Sequence, residues 1–194
     1  MKRQTRVTRL LLWLSLFAFV APGFADQART PQSNEEARDF KTFIDRVQAY
    51  VKMQKSLEAS LPALKPTEDA AQIVEHQHAL AGKIADARRD ARQGDIFTPE
   101  VAERFRKIIR SAFQGPEGRL ARETIRPDSP IKVVVLHVND VCPEGIPLTT
   151  TPPSLLLKLP KLPQELVYRI VGHDLTLQDT EARLIVDLIP NVIR

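Results

Sequence analysis

The chain has 194 residues, of which 43% are apolar, 27% charged and 6% aromatic, enough to build one core of ordinary size. Its formal charge of +4 does not point to nucleic acid or an anionic membrane, because Lys2, Arg3, Arg6 and Arg9 fall in residues 1–25 with no acid, and the remainder is neutral.

In chain order, MKRQTRVTR is basic, LLLWLSLFAFV is apolar, and APGFA supplies small residues before the first acid, Asp26. That is the layout of an export signal, with cleavage expected after Ala25. The apolar run is eleven residues long. As a helix it rises only about 16 Å, half a bilayer core, so no stable membrane span is expected after cleavage. The alternative, an uncleaved anchor, is opposed by Pro22 and Gly23 directly behind the run. The expected location is periplasmic or secreted. One cysteine, Cys142, closes no internal bridge, so packing alone must stabilise the fold there.

Residues 26–32 read as a disordered leader. Ser33-Asn34-Glu35-Glu36 forms a capping box, and a helix follows with Phe40, Phe43, Ile44, Val47, Tyr50, Val51 and Leu61 on one side and Lys41, Asp45 and Lys52 on the other. Pro62 and Pro66 bracket its end. Thr67 is read as the cap of a second helix, with Glu68 and Asp69 in its first turn, Arg88, Arg89 and Arg92 near its end and Gly94 as its stop. Thr98-Pro99-Glu100 opens a third helix whose inner stripe is read as Val101, Phe105, Ile108 and Ala112. GPEGRLARETIR suggests a shorter fourth.

From Ile131 the period changes. IKVVVLHV predicts a strand covered on both faces, with His137 as a satisfied core histidine, and Asn139-Asp140 can turn it back. Cys142 reads as a small buried apolar residue, with a reactive thiol as the alternative. A short helix is expected over Pro152–Lys158. It carries part of a dense leucine set: Leu155, Leu156 and Leu159 are either core residues or a surface for a partner.

In VYRIVGHDLTLQD, a two-residue loop at Gly172-His173 of type II′ sets Val171 against Asp174, Ile170 against Leu175 and Tyr168 against Leu177. Tyr168, Ile170, Leu175 and Leu177 then share an apolar face, while Val167, Arg169, Asp174, Thr176 and Gln178 share a polar one. Turning again at Thr180-Glu181 sets Leu177 against Leu184, Leu175 against Val186, and Asp174 against Asp187. Two acids across a ladder repel. Arg169, Asp174, Arg183 and Asp187 therefore form either an arginine–carboxylate cluster or an acid pair with one raised pKa.

Catalytic and cofactor motifs are not found. The chain has no G-x-S-x-G elbow, phosphate loop, dinucleotide turn or H-E-x-x-H, so no cofactor and no catalytic residue is assigned. In EHQH, His76 and His78 are two apart and about 200° apart on a helix, which does not suit one metal ion. No metal site is expected.

The segment LPKLPQELVYRIVGHDLTLQDTEARLIVDLI, residues 159–189, resembles a group of secreted bacterial proteins of unassigned function. The likeness includes the helical front, QGDIFTPEV and PLTTTPP, and it implies no activity. Within it, LP..LP...YR.VG.DL.L.D.....IVD.I is similar to the tail of periplasmic nickel/cobalt-homeostasis regulators, without carrying a metal role.

The expected architecture is α+β: a signal over 1–25, a leader over 26–32, three to four amphipathic helices over 33–126, and a small, mainly antiparallel sheet over 127–194 packed with them as one domain. The expected function is that of an exported, non-catalytic protein binding a protein or other envelope partner. The alternative is a small periplasmic hydrolase or ligand-binding enzyme using Arg169, Asp174, Arg183 and Asp187 on the polar sheet face.

Overall fold

The computed structural model describes residues 31–114, 118, 135–142 and 153–193. The expected signal, the leader as far as residue 30, the fourth helix apart from Gly118, and residues 131–134 of the apolar run lie outside the described residues. Three helices come first, α1 (Pro31–Glu58), α2 (Ala70–Ala87) and α3 (Pro99–Phe113), then a one-turn α4 (Pro153–Leu156). Strands β1 (Leu166–Val171), β2 (Asp174–Asp179) and β3 (Ile185–Ile189) form an antiparallel sheet in the order β1-β2-β3. The fold is α+β, as expected.

Helix ends follow local chemistry, with three corrections, the first being that α2 stops at Ala87 with Arg88 as its cap, short of Gly94. α1 begins at Pro31, so Ser33 lies inside its first turn and does not cap it; proline suits that first position because its missing N–H has no helical partner. The cap of α2 is Asp69, whose carboxylate accepts from Ala71 N at 2.9 Å, while Thr67 supports the cap by accepting from Asp69 N. Both oxygens compete for the same entrance, and the charged one nearer the helix takes it. Thr98 caps α3 as read.

One apolar core joins the helices to the inner sheet face. Phe43 of α1, Phe105 of α3, Phe97 of the preceding loop and Tyr168 of β1 meet with ring centroids 5.1–6.5 Å apart. The buried stripe of α3 is Val101, Ala102, Phe105, Ile109 and Phe113, with Ile108 and Ala112 on its margin. The expected stripe was one residue off along its second half, since α3 also faces α4 and not α1 alone.

The first hairpin keeps the register derived from its tip: Val171 pairs with Asp174, Ile170 with Leu175 and Tyr168 with Leu177. Gly172 has φ +60° and His173 does not share a positive φ, the signature of a type II′ turn. His173 is exposed, and its carbonyl accepts from Val192 N and Ile193 N, while Asp174 accepts from Asn191 N. The tip thus pins the C-terminal segment.

The second hairpin departs from its expected register. Asp179 N bonds to Leu184 O, so the connection is the four residues 180–183, with Arg183 at φ +52°. A bulge between Leu177 and Gln178 adds one more residue, so Leu177 faces Asp187 and Leu175 faces Ile189. Asp174 does not lie opposite Asp187, and the expected acid pair across the ladder is not formed.

Residues 135–138 are not a strand. Val135 is 68% exposed and His137 is also exposed, bonding to Asp140, so His137 is not a core histidine. Leu136 turns inward, onto Val171, Ile185 and Leu188 of the outer sheet face, with the half-buried Val138 packed against the same group. Asn139-Asp140 does turn the chain, with Asn139 at φ +69°, and residues 139–142 cover the edge at the entry to β3 through Asn139 N to Ile185 O, Ile185 N to Asp140 O and Cys142 N to Arg183 O. That cover hides an edge which would otherwise offer unpaired backbone groups.

Candidate functional site

The four residues expected to form a polar cluster separate into three settings. Asp187 is fully buried, and its carboxylate accepts from Gly94 N at 2.9 Å, Ile96 N at 2.8 Å, Phe97 N at 2.7 Å and Leu188 N at 2.8 Å. It closes the α2–α3 loop onto β3. Gly94 reaches this position at φ +94°, which a residue with a side chain rarely adopts. Asp174 stands at the hairpin tip, 13 positions away in sequence and committed to Asn191 N.

Arg169 and Arg183 are brought together. They line a cleft of about 210 Å³ with Cys142, Val167, Gln178, Asp179 and Thr180. The polar sheet face they share is largely covered: Thr176 is fully buried and Gln178 nearly so, with Gln178 Nε2 donating to Thr176 Oγ1 at 2.9 Å. Cys142 is buried, as expected.

Asp179 is the acid that sequence reasoning missed. It accepts from Tyr50 Oη at 2.8 Å, Glu181 N at 2.9 Å and Ala182 N at 2.7 Å. Burial raises its pKa, outweighing the backbone and tyrosine bonds that favour the charged form. Burial likewise raises the pKa of Tyr50, which stays a donor. Arg88 was missed as well. It reads as a complement to the helix dipole, yet its guanidinium donates to Val186 O and Asn139 Oδ1 and lies 5.1 Å from the Tyr50 ring centre. The available signals were slight: Asp187 is a lone acid in an apolar strand, and Asp179 precedes a turn.

A carboxyl with a raised folded pKa contributes stability that is fully present below the unfolded pKa and lost as pH rises through the folded one. Asp179→Asn keeps an acceptor for Glu181 N and Ala182 N and removes the titration. Unfolding curves of both proteins from neutral pH down past the ordinary aspartate range should show the native chain gaining stability relative to the variant on acidification. A constant difference would contradict the buried, raised carboxyl.

Of the leucines expected at a partner surface, Leu155 and Leu159 are core residues, at 1% and 5% exposure, held by the inner faces of the helices and sheet. Leu156 remains at the surface, and Leu157 is 88% exposed. His76 is half-buried and His78 exposed, and among the described residues no group of three or more metal-ligating side chains converges. No described helix is long and apolar enough to cross a membrane.

No family model, curated protein or solved structure matches the chain.

Proposed function

We propose that the chain is a non-catalytic protein of the bacterial envelope, exported by residues 1–25 and cut after Ala25, which binds a protein partner through the projection at α4. The observation that carries this reading is the division of its leucines. Leu155 and Leu159 anchor the segment in the core, while Leu157 at 88% and Leu156 at 42% exposure are held outward. Fully burying a leucine is worth about 1.5–3 kcal/mol, so a partner that covers the pair gains from a projection already fixed in place. Lys158 and Lys161, both exposed, give the apolar centre a basic rim. The sequence likeness to secreted bacterial proteins agrees with the compartment.

A photo-crosslinker placed at Lys161 in cells should yield one discrete adduct in the envelope fraction, and Leu156→Asp with Leu157→Asp should abolish it without lowering the melting temperature. An adduct that survives both substitutions, or none at all, would sink the reading.

A second reading, a small ligand-binding enzyme or hydrolase, draws on the cleft where Arg169 and Arg183 meet beside Asp179. Two guanidinium groups suit recognition of a carboxylate or phosphate. With Asp174 and Asp187 committed to backbone N–H groups elsewhere, the acid–base part of this reading has less support than the binding part.

A further inference from the structure

A larger cavity, of about 480 Å³, lies between the end of α3 and the C-terminal segment. Its size falls within the range of small-molecule sites, about 300–1,000 Å³. Arg106 and Arg110 of α3 stand one turn apart on its wall, and Phe113, Pro190, Val192 and Ile193 supply apolar surface. No acid is among its described lining residues. Among the described residues, the acid paired with Arg110 is Glu103, at 4.0 Å, the outer limit of an ion pair.

The wall opposite α3 is held in place. Val192 N and Ile193 N both bond to the His173 carbonyl, Asn191 N bonds to Asp174 Oδ1, and Asn191 takes φ +54° to turn the chain there. Val192 is buried and Ile193 packs against the main core, so this segment is part of the fold. The exposed hairpin tip thereby has a role: it fixes one side of a cavity whose other side carries two cations.

We propose that this cavity binds a small amphipathic anion, a carboxylate on an unbranched alkyl chain, with Arg106 and Arg110 on the carboxylate and Phe113, Val192 and Ile193 along the chain. Paired cations select the charged head, since charge-assisted bonds from guanidinium to carboxylate are the stronger kind. The apolar surface selects the tail. Neither half of the ligand alone satisfies the cavity. The proposal is independent of the α4 projection.

Calorimetric titration of the purified chain tests it with three probes: decanoate, decanol and acetate. Decanoate should bind at one equivalent, with decanol and acetate at least about tenfold weaker, the loss expected when one class of contact is removed. Arg106→Gln with Arg110→Gln should weaken decanoate by about tenfold or more while leaving decanol unchanged. Ile193→Trp, at the half-buried position of the other wall, should fill the cavity and abolish decanoate binding in a chain whose circular dichroism shows it folded. Equal affinity for decanoate and acetate would reduce the site to a bare anion contact and overturn the proposal. So would decanoate affinity unchanged by the arginine substitutions, or no decanoate binding at all.

Discussion

Asp187→Ala is expected to lower the free energy of unfolding by about 3–5 kcal/mol, the cost of breaking a buried polar network from one side. The four N–H groups of Gly94, Ile96, Phe97 and Leu188 would lose their acceptor at a position fully closed to solvent. An orphaned buried donor costs about 1–3 kcal/mol, and the sum is moderated by water entering beside the half-buried Gly94. For a chain of this length the change corresponds to about 6–20 °C in melting temperature. Asp187→Asn should recover part of the loss, because its carbonyl oxygen still accepts while its NH₂ meets donors. Thermal unfolding followed by circular dichroism reads both. A change below about 1 kcal/mol for the alanine variant would mean that the loop holds its place without the carboxylate.

Phe105→Ala should cost about 3–5 kcal/mol, the range for deleting a fully buried aromatic ring. Its ring is fully buried and lies 5.1 Å from Phe43 and from Phe97, 5.8 Å from Tyr168 and 6.1 Å from Phe40, so three helix or loop segments and the sheet lose contacts at once. Phe105→Leu retains most of the apolar volume and should cost no more than about half as much. Urea unfolding separates the two variants. Equal effects would indicate that the site tolerates a cavity by collapsing. Unlike Asp187→Ala, this substitution should leave the loop amides of Ile96 and Phe97 bonded.

These two residues show where sequence and structure part company. Phe105 is legible, because an apolar stripe recurring every three to four residues behind a Thr-Pro-Glu start admits only one inner side of α3. Asp187 is legible only as a residue type in an unusual place. Apart from the adjacent Leu188 N, its partners are amides of Gly94, Ile96 and Phe97, 90 to 93 positions earlier, and an N–H leaves no trace in residue identity. The same contrast divides the two hairpins. Gly172 fixes the first turn, since a two-residue loop with glycine at its first position leaves one register. The second turn relies on Arg183 at φ +52°, a conformation that its side chain gives no reason to expect, and on a bulge inside an apolar run. Two extra loop residues and one bulge residue carried Asp187 away from Asp174 and onto the α2–α3 loop.

The run ending in VLHV misled for a related reason. β-branched residues favour a strand where packing against neighbours rewards them, and at 135–138 Val135 and His137 face solvent while Leu136 and Val138 pack onto the sheet without pairing as a strand. Leu155, Leu156, Leu157 and Leu159 were legible as a dense apolar set, but which of them points inward depends on where a one-turn helix meets α3. Arg106 and Arg110 read as an ordinary solvated helix side. Only the docking of residues 190–193 beside them makes a cavity.

In this account the acids of the sheet serve backbone N–H groups and thereby hold the fold together, leaving binding to other surfaces. Native-state hydrogen exchange at the amides of Ile96 and Phe97 tests that most directly. Both should exchange only through opening as costly as global unfolding, and should speed up sharply in Asp187→Ala. Exchange as fast as that of an open surface loop in the native chain would mean that Asp187 is free to serve something else.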